Sequence, residues 1–164
     1  MPDQQALFNQ CIQEHADGLY RYAFRMLGCD STARDVIQET FVVAWESIEQ
    51  LEQISHRRAW LFTVLRRKMS RHWRTAERSL QPICETDEPS DEGHWIAESD
   101  QQDWLQFQIH NLPVPLREAL LLVVMEQVNS QEAADLLEIP LGTLLSRVHR
   151  ARQQLRGQIR AIEE

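Results

Sequence analysis

Residues 129–156, NSQEAADLLEIPLGTLLSRVHRARQQLR, constrain the fold more than any other stretch. They read as two helices joined by a short turn. Asn129 and Glu132 have the N-x-x-E spacing of a capping box, which predicts that the first helix starts there. Ala133, Ala134 and Leu137 supply its buried face, and the two alanines let another helix pack closely. Pro140 suits the first turn of a second helix, where its missing N–H costs nothing. Gly142 is out of place, since glycine inside a helical turn costs up to about 1 kcal/mol relative to alanine. Leu144, Val148, Ala151 and Leu155 recur at spacings of four, three and four, forming one apolar seam. Ser146, Arg147, His149, Arg150 and Gln153 lie largely off that seam and are expected to face outward.

The second of these helices resembles the recognition helix of a helix-turn-helix, whose N-terminal residues reach base edges in the major groove. Arginine pairs bidentately with guanine, and further arginines sit on phosphates. The competing interpretation is an ordinary helical hairpin with a basic, solvated face.

The rest of the chain favours an all-α fold. Hydrophobic residues make up 43% of it, enough for a core, and only five glycines interrupt the helix formers. No apolar run approaches the roughly 20 residues of a membrane span, so no membrane insertion is expected. The start, MPDQQALFNQ, lacks the basic and apolar regions of a secretory signal, so the chain is expected to stay in the cytoplasm. Cys11, Cys29 and Cys84 are odd in number and widely spaced, and form neither a C-x-x-C pair nor a disulfide framework. The six histidines show no metal-ligand spacing, so no metal and no cofactor is expected. The net charge of −8 argues against a nucleic-acid binder until it is divided along the chain. Residues 1–78 hold eleven Lys/Arg and ten Asp/Glu, residues 79–98 no base and six acids, and residues 99–164 six bases and nine acids. Local field, not net charge, decides where a polyanion binds.

Residues 5–27 form a helical pattern that Gly28 stops, with a break expected near Asp17-Gly18. Residues 31–51 form the next helix, with Ser31 as its expected cap. Val36, Ile37, Thr40, Phe41, Ala44, Trp45 and Ile48 are its core face, and Asp35, Gln38, Glu39, Val42 and Glu46 lie around the other side. Such an acidic surface is usually only solvated, but it also suits a basic partner. Residues 57–78 form a helix with eight Lys/Arg against the single acid Glu77. Trp60, Leu61, Val64, Leu65, Met69 and Trp73 form its apolar side, while Arg66, Arg67, Lys68, Arg71 and Arg74 crowd the rest. Basic residues interleaved with aromatics suit a nucleic-acid backbone with unstacked bases. The simpler alternative is neutralisation of this helix by the acidic one before it. Residues 79–98, with two prolines, one glycine and no Lys/Arg, read as a flexible acidic linker. A short helix at 100–111 and another starting near Pro115 precede the helix-turn-helix, and fraying is expected after Gly157.

Two blocks now carry a family resemblance. DVIQETF at 35–41 followed by RAWLF at 58–62 resembles the first domain of an extracytoplasmic-function sigma factor of the sigma-70 superfamily. LPVPLREALLL at 112–122, followed by PLGTLLSR at 140–147 and RAR at 150–152, resembles the second. Both blocks stand in the family's order around a short linker, and together cover nearly the whole chain. The resemblance implies two small helical domains, a sigma-2-like bundle at 1–78 and a sigma-4-like helix-turn-helix domain at 99–164, joined by the linker at 79–98. It implies a subunit that gives core RNA polymerase its promoter specificity and catalyses nothing itself. By position, Asp35, Gln38 and Glu39 match the surface that binds the β′ coiled coil, the β subunit being a further polymerase partner. Arg66, Arg67, Arg71 and Arg74 lie on the helix that meets and helps melt the -10 element of promoter DNA. Ser146, Arg147, His149 and Arg150 belong to the helix that reads the -35 element. An anti-sigma factor is the expected regulator. Three residues depart from the family pattern: Arg67 replaces a frequent Asn, Leu145 a frequent Lys or Arg, and Glu138 a frequent Gly in the turn.

A stand-alone helix-turn-helix regulator is the rival expectation, but such proteins usually dimerise, and this chain has no spare dimerisation helix. An enzyme fits poorly, because no Ser/His/Asp, Cys/His or glycine-rich phosphate motif is present.

Overall fold

The computed structural model describes the backbone of residues 2–79 and 100–163, and the side chains of residues 3–74 and 104–160. Every regular element among them is helical. The chain divides into two compact units, Met1–Thr86 and Asp87–Glu164. Most of the expected linker at 79–98, with Cys84, lies outside the described residues.

In the first unit, α1 (Pro2–Leu27) runs unbroken through Asp17 and Gly18, against the expected interruption. Cys11, Leu19, Tyr22, Ala23 and Met26 are buried along one stripe, and packing of that stripe outweighs the roughly 1 kcal/mol propensity cost of one glycine. Gly28 ends the helix with φ 72° and donates its N–H to the Phe24 carbonyl at 2.7 Å. This is the left-handed stop that glycine makes without a Cβ clash.

The second helix, α2 (Asp30–Glu46), is capped by Cys29, not by Ser31. The Cys29 carbonyl accepts from the Ala33 N–H at 3.0 Å, while its Sγ accepts from the Thr32 hydroxyl at 3.3 Å. The Tyr20 hydroxyl donates to the Asp30 carboxylate, which also holds Arg34 Nε at 3.0 Å. Burial, reinforced by that hydrogen bond and the Asp30 charge, pushes the Tyr20 phenol up to about 12. Together these contacts clasp the α1–α2 corner.

The expected single helix over 31–51 is two. The chain breaks at Ser47 and resumes as α3 (Ile48–Gln53). The break turns Ile48 and Leu51 into the core, where Leu51 is fully buried. Next, α4 (Arg57–Ser79) buries Leu61, Phe62, Leu65 and Met69. Phe62 meets Tyr22 edge to face at 5.3 Å, a pairing that adds about 0.5–1.5 kcal/mol beyond area burial. Arg57 Nε donates to the Leu51 carbonyl at 3.0 Å and ties the α3–α4 connection to the start of α4.

The second unit comprises α5 (Asp100–His110), α6 (Val114–Leu120) with a π-helical turn (Leu121–Met125), α7 (Ser130–Leu137) and α8 (Leu141–Glu163). Pro115 falls in the first turn of α6, as its sequence suggests. Arg117 is buried and donates from Nη2 to the carbonyls of Leu112, at 3.0 Å, and His110. It thereby satisfies backbone acceptors in the α5–α6 connection. Leu112, Leu120 and Ala151 form a buried cluster, with Leu116, Val124 and Leu155 packed against it.

Asn129 caps α7, its Oδ1 accepting from the Gln131 N–H at 2.8 Å. Glu138 follows α7 in the left-handed conformation, φ 56° and ψ 42°. The Ile139 N–H reaches back to the Ala134 carbonyl at 3.0 Å and the Glu138 N–H to Asp135 at 3.1 Å, the pattern of a Schellman stop. The geometry glycine often supplies is therefore kept by a glutamate. Pro140 stands one residue before α8 and accepts from the Leu144 N–H at 3.1 Å. The expected fraying point at Gly157 is passed, and α8 continues to Glu163. Among the described residues, no helix is long and apolar enough to cross a membrane.

Candidate functional site

The first candidate surface lies on α2. Asp35, Gln38, Glu39, Val42, Val43 and Glu46 recur at helical spacing and, with Lys68 of α4, line an open cleft of about 550 Å³. The structure thus gathers the three residues singled out in the sequence, Asp35, Gln38 and Glu39, along one wall. Val42 and Glu46, read from the sequence as lying on the same face, join them, and the structure adds Val43 and Lys68, which sequence pattern had not assigned there. Val42 is 55% exposed, so the cleft combines carboxylates with an apolar strip. Trp45, expected in the core, is instead 43% exposed beside it, its ring 5.1 Å from Phe8. The spacing of Asp35, Glu39, Val42 and Glu46 was the available signal, whereas Lys68 looked like one more member of a basic run.

Glu39 is the most engaged of these acids. Its Oε2 lies 3.4 Å from Lys68 Nζ and its Oε1 3.8 Å from His72 Nε2. Neutralisation of α4 by α2 is therefore realised at this point. Lys68 is 23% and Glu39 43% exposed, so water screens the pair in part and it contributes on the order of 1 kcal/mol or less.

The second surface is on α4. Lys68 and His72 face Glu39, while Arg67, Arg71 and Arg74 are exposed at spacings of four and three, one stripe of the helix. Arg66 departs from that stripe and is half-buried. Arg74 Nε curls back to the Ser70 carbonyl at 3.4 Å. The stripe presents guanidinium groups, which match phosphate geometry bidentately.

The third surface is on α8. Leu144, Val148 and Ala151 are buried, as the seam requires, and the packed seam sets the helix rotation. Ser146, His149 and Arg150 are exposed, while Arg147 is half-buried at the seam's flank. From Leu141 to Arg160 the helix carries five arginines and no acid. Leu145 is exposed on the same face. No group of three or more metal-ligating side chains is assembled among the described residues.

An acid-lined cleft on the first unit, cationic helix faces on both, and a helix-turn-helix in the second define a class. Residues 11–79 match Sigma-70 region 2 and residues 102–155 match Sigma-70 region 4, which makes this a sigma-70-type protein. The chain is 31% identical over 144 residues to the ECF RNA polymerase sigma factor EcfG of Rhodopseudomonas palustris, covering 84% of this chain and 76% of that protein. It is 32% identical over 163 residues to the ECF RNA polymerase sigma factor SigE of Mycolicibacterium smegmatis, covering 94% of this chain but only 63% of that protein's length. Among solved structures, the sigma factor RpoE of Bartonella quintana, crystallised with the anti-sigma factor NepR, superposes with a TM-score of 0.77. Identity there is 27%, over 93% of this chain and 96% of that one. The chain belongs to the extracytoplasmic-function (ECF) family of RNA polymerase sigma factors.

Proposed function

We propose that this sigma factor docks on core RNA polymerase through the α2 cleft, with Asp35, Gln38 and Glu39 receiving a basic segment of the β′ coiled coil. Arg66, Arg67, Arg71 and Arg74 hold promoter DNA at the -10 element, and Ser146, Arg147, His149 and Arg150 engage the -35 element. The β subunit is a further polymerase contact. The protein contributes binding and positioning, no bond chemistry, and acts in the cytoplasm. An anti-sigma factor controls it, a reading supported by the similarity to RpoE, which was crystallised with NepR.

The observation that carries this reading is the separation of charge within one acidic chain. The cleft offers Asp35, Glu39 and Glu46 around an apolar strip, while the exposed stripes of α4 and α8 are cationic. Truncating one partner of a buried, hydrogen-bonded charge pair at an interface costs about 2–5 kcal/mol. Glu39→Arg is expected to cost at least the lower end of that range in core-polymerase affinity while the helical circular dichroism stays intact. Transcription in vitro from a genomic fragment library, with core polymerase plus wild-type or Glu39→Arg chain, provides the functional readout. Equal core affinity of the folded variant would remove this cleft from the interface.

A further inference from the structure

The exposed face of α8 is not uniformly polar. Leu145 is 49% exposed and Leu141 38%. Four residues apart, they stand on successive turns, with exposed His149 next in the same row. They keep this exposure while the seam of Leu144, Val148 and Ala151 closes this helix against its unit. Between them, a Cβ built on Gly142 would meet no atom of the described residues within 4 Å beyond its own helical turn, so the surface beside the pair is open there. The setting is cationic, with Arg150 and Arg152 exposed nearby and no acid from Leu141 to Arg160.

An apolar pair inside an acid-free, arginine-bearing face calls for an occupant with an anionic frame and an apolar point within it. The major groove of B-DNA has that pattern: phosphates border it, and the thymine 5-methyl is the apolar group on its base edges. The N-terminal turns of a recognition helix are the ones that reach those edges. We propose that Leu145, supported by Leu141, selects thymine in the -35 element by contact with its 5-methyl group. This rests on α8 being the recognition helix, as in the reading above. Leu145 then determines specificity at one base step through shape and apolar contact, with Ser146, His149 and Arg150 supplying the polar readout around it.

The test begins with holoenzyme, the full chain plus core polymerase, selecting from duplexes randomised across the -35 region. Each thymine that emerges is then replaced by deoxyuridine, which differs only in lacking the 5-methyl. At one or two positions this replacement is expected to weaken wild-type binding about three- to fourfold, the factor for one buried methyl-sized group. The same replacement should have no effect on Leu145→Ala, and Leu145→Met should restore part of the sensitivity. Leu145→Arg should move the preferred base from thymine toward guanine. The proposal is overturned if no thymine is selected, if deoxyuridine is tolerated everywhere by the wild type, or if the deficit persists in Leu145→Ala. Arg150→Ala separates the two levels. If it alters the selected sequence while deoxyuridine is silent, only the thymine contact fails. If neither Arg150→Ala nor any Leu145 variant alters selection, the assignment of α8 to the groove fails as well. If the thymine contact fails and Leu145→Ala also abolishes binding of an anti-sigma protein, the leucine pair belongs to a protein interface instead.

Discussion

At Glu138 a side chain with a Cβ occupies backbone space that favours glycine, φ 56° and ψ 42°. The left-handed conformation costs an L-residue about 1–2 kcal/mol. Glycine would remove that cost but would also gain entropy in the unfolded chain. Glu138→Gly is therefore expected to stabilise the second unit by up to about 1 kcal/mol, read as a higher urea midpoint with an unchanged slope. A lower midpoint would mean that the glutamate side chain contributes more than its backbone costs. Glu39 carries the other residue-scale prediction. In the isolated chain Lys68, 3.4 Å away, competes for the carboxylate that the proposed partner needs. Lys68→Met should raise affinity for core polymerase, by no more than about 1 kcal/mol, opposite in sign to Glu39→Arg. Competition binding without DNA measures both, and weaker binding by Lys68→Met would make the lysine a supporting residue of the interface.

At the scale of elements, α1 couples packing to protonation. His15 is partly buried on it, and burial pushes its imidazole below the usual 6.5, with Arg58 and Arg57 acting in the same direction and Glu14, 3.8 Å away, opposing them. The unfolded chain therefore takes up this proton first. The stability that neutral His15 contributes is complete above pH 6.5 and is lost as the pH falls from there toward the folded-state value. His110 shifts in the same direction in the second unit, chiefly through burial and then through Arg117. Amide hydrogen exchange resolved by helix is thus the suitable measurement. Protection of α1 should fall between pH 7 and 5 in the wild type and change less in His15→Gln, whose side chain does not titrate. Identical profiles would place the acid sensitivity of α1 elsewhere. The π-helical turn at Leu121–Met125 illustrates a limit of pattern reading. The run LLLVV at 120–124 is apolar at every position, so it has no period to read, and the wider turn accompanies full burial of Leu121 and Leu122.

At the scale of the whole molecule, the charges of a chain of net charge −8 are partitioned among faces, as the proposed binding of a polyanion requires. The exposed stripe of Arg67, Arg71 and Arg74 is expected to account for much of the salt dependence of promoter binding. Each of these changed to alanine should reduce the salt slope of holoenzyme binding by about one. Arg66→Ala should change it less, because Arg66 is half-buried off the stripe. A titration of promoter affinity against salt decides this. Slopes unchanged from wild type in all four variants would make the stripe a solvated face.

The identity of the helices was legible in the sequence because helical periodicity is local. The Leu144–Val148–Ala151 seam, the Gly28 stop and the Asn129 cap each depend on residues within one or two turns, and the structure has all three. Family membership was legible too, since DVIQETF and PLGTLLSR are short strings in a set order. Residues far apart in sequence were not. Whether Glu39 met solvent or a base depended on α4 crossing α2, and only that crossing brought Lys68 and His72 to it. Trp45 and Ile48 share a helical pattern, yet the break at Ser47 buries Ile48 and leaves Trp45 at the surface. Composition and periodicity determine which faces a chain can bury. The packing of helices against one another decides which of them it does bury, because that depends on contacts between residues far apart in sequence, as with Glu39 and Lys68.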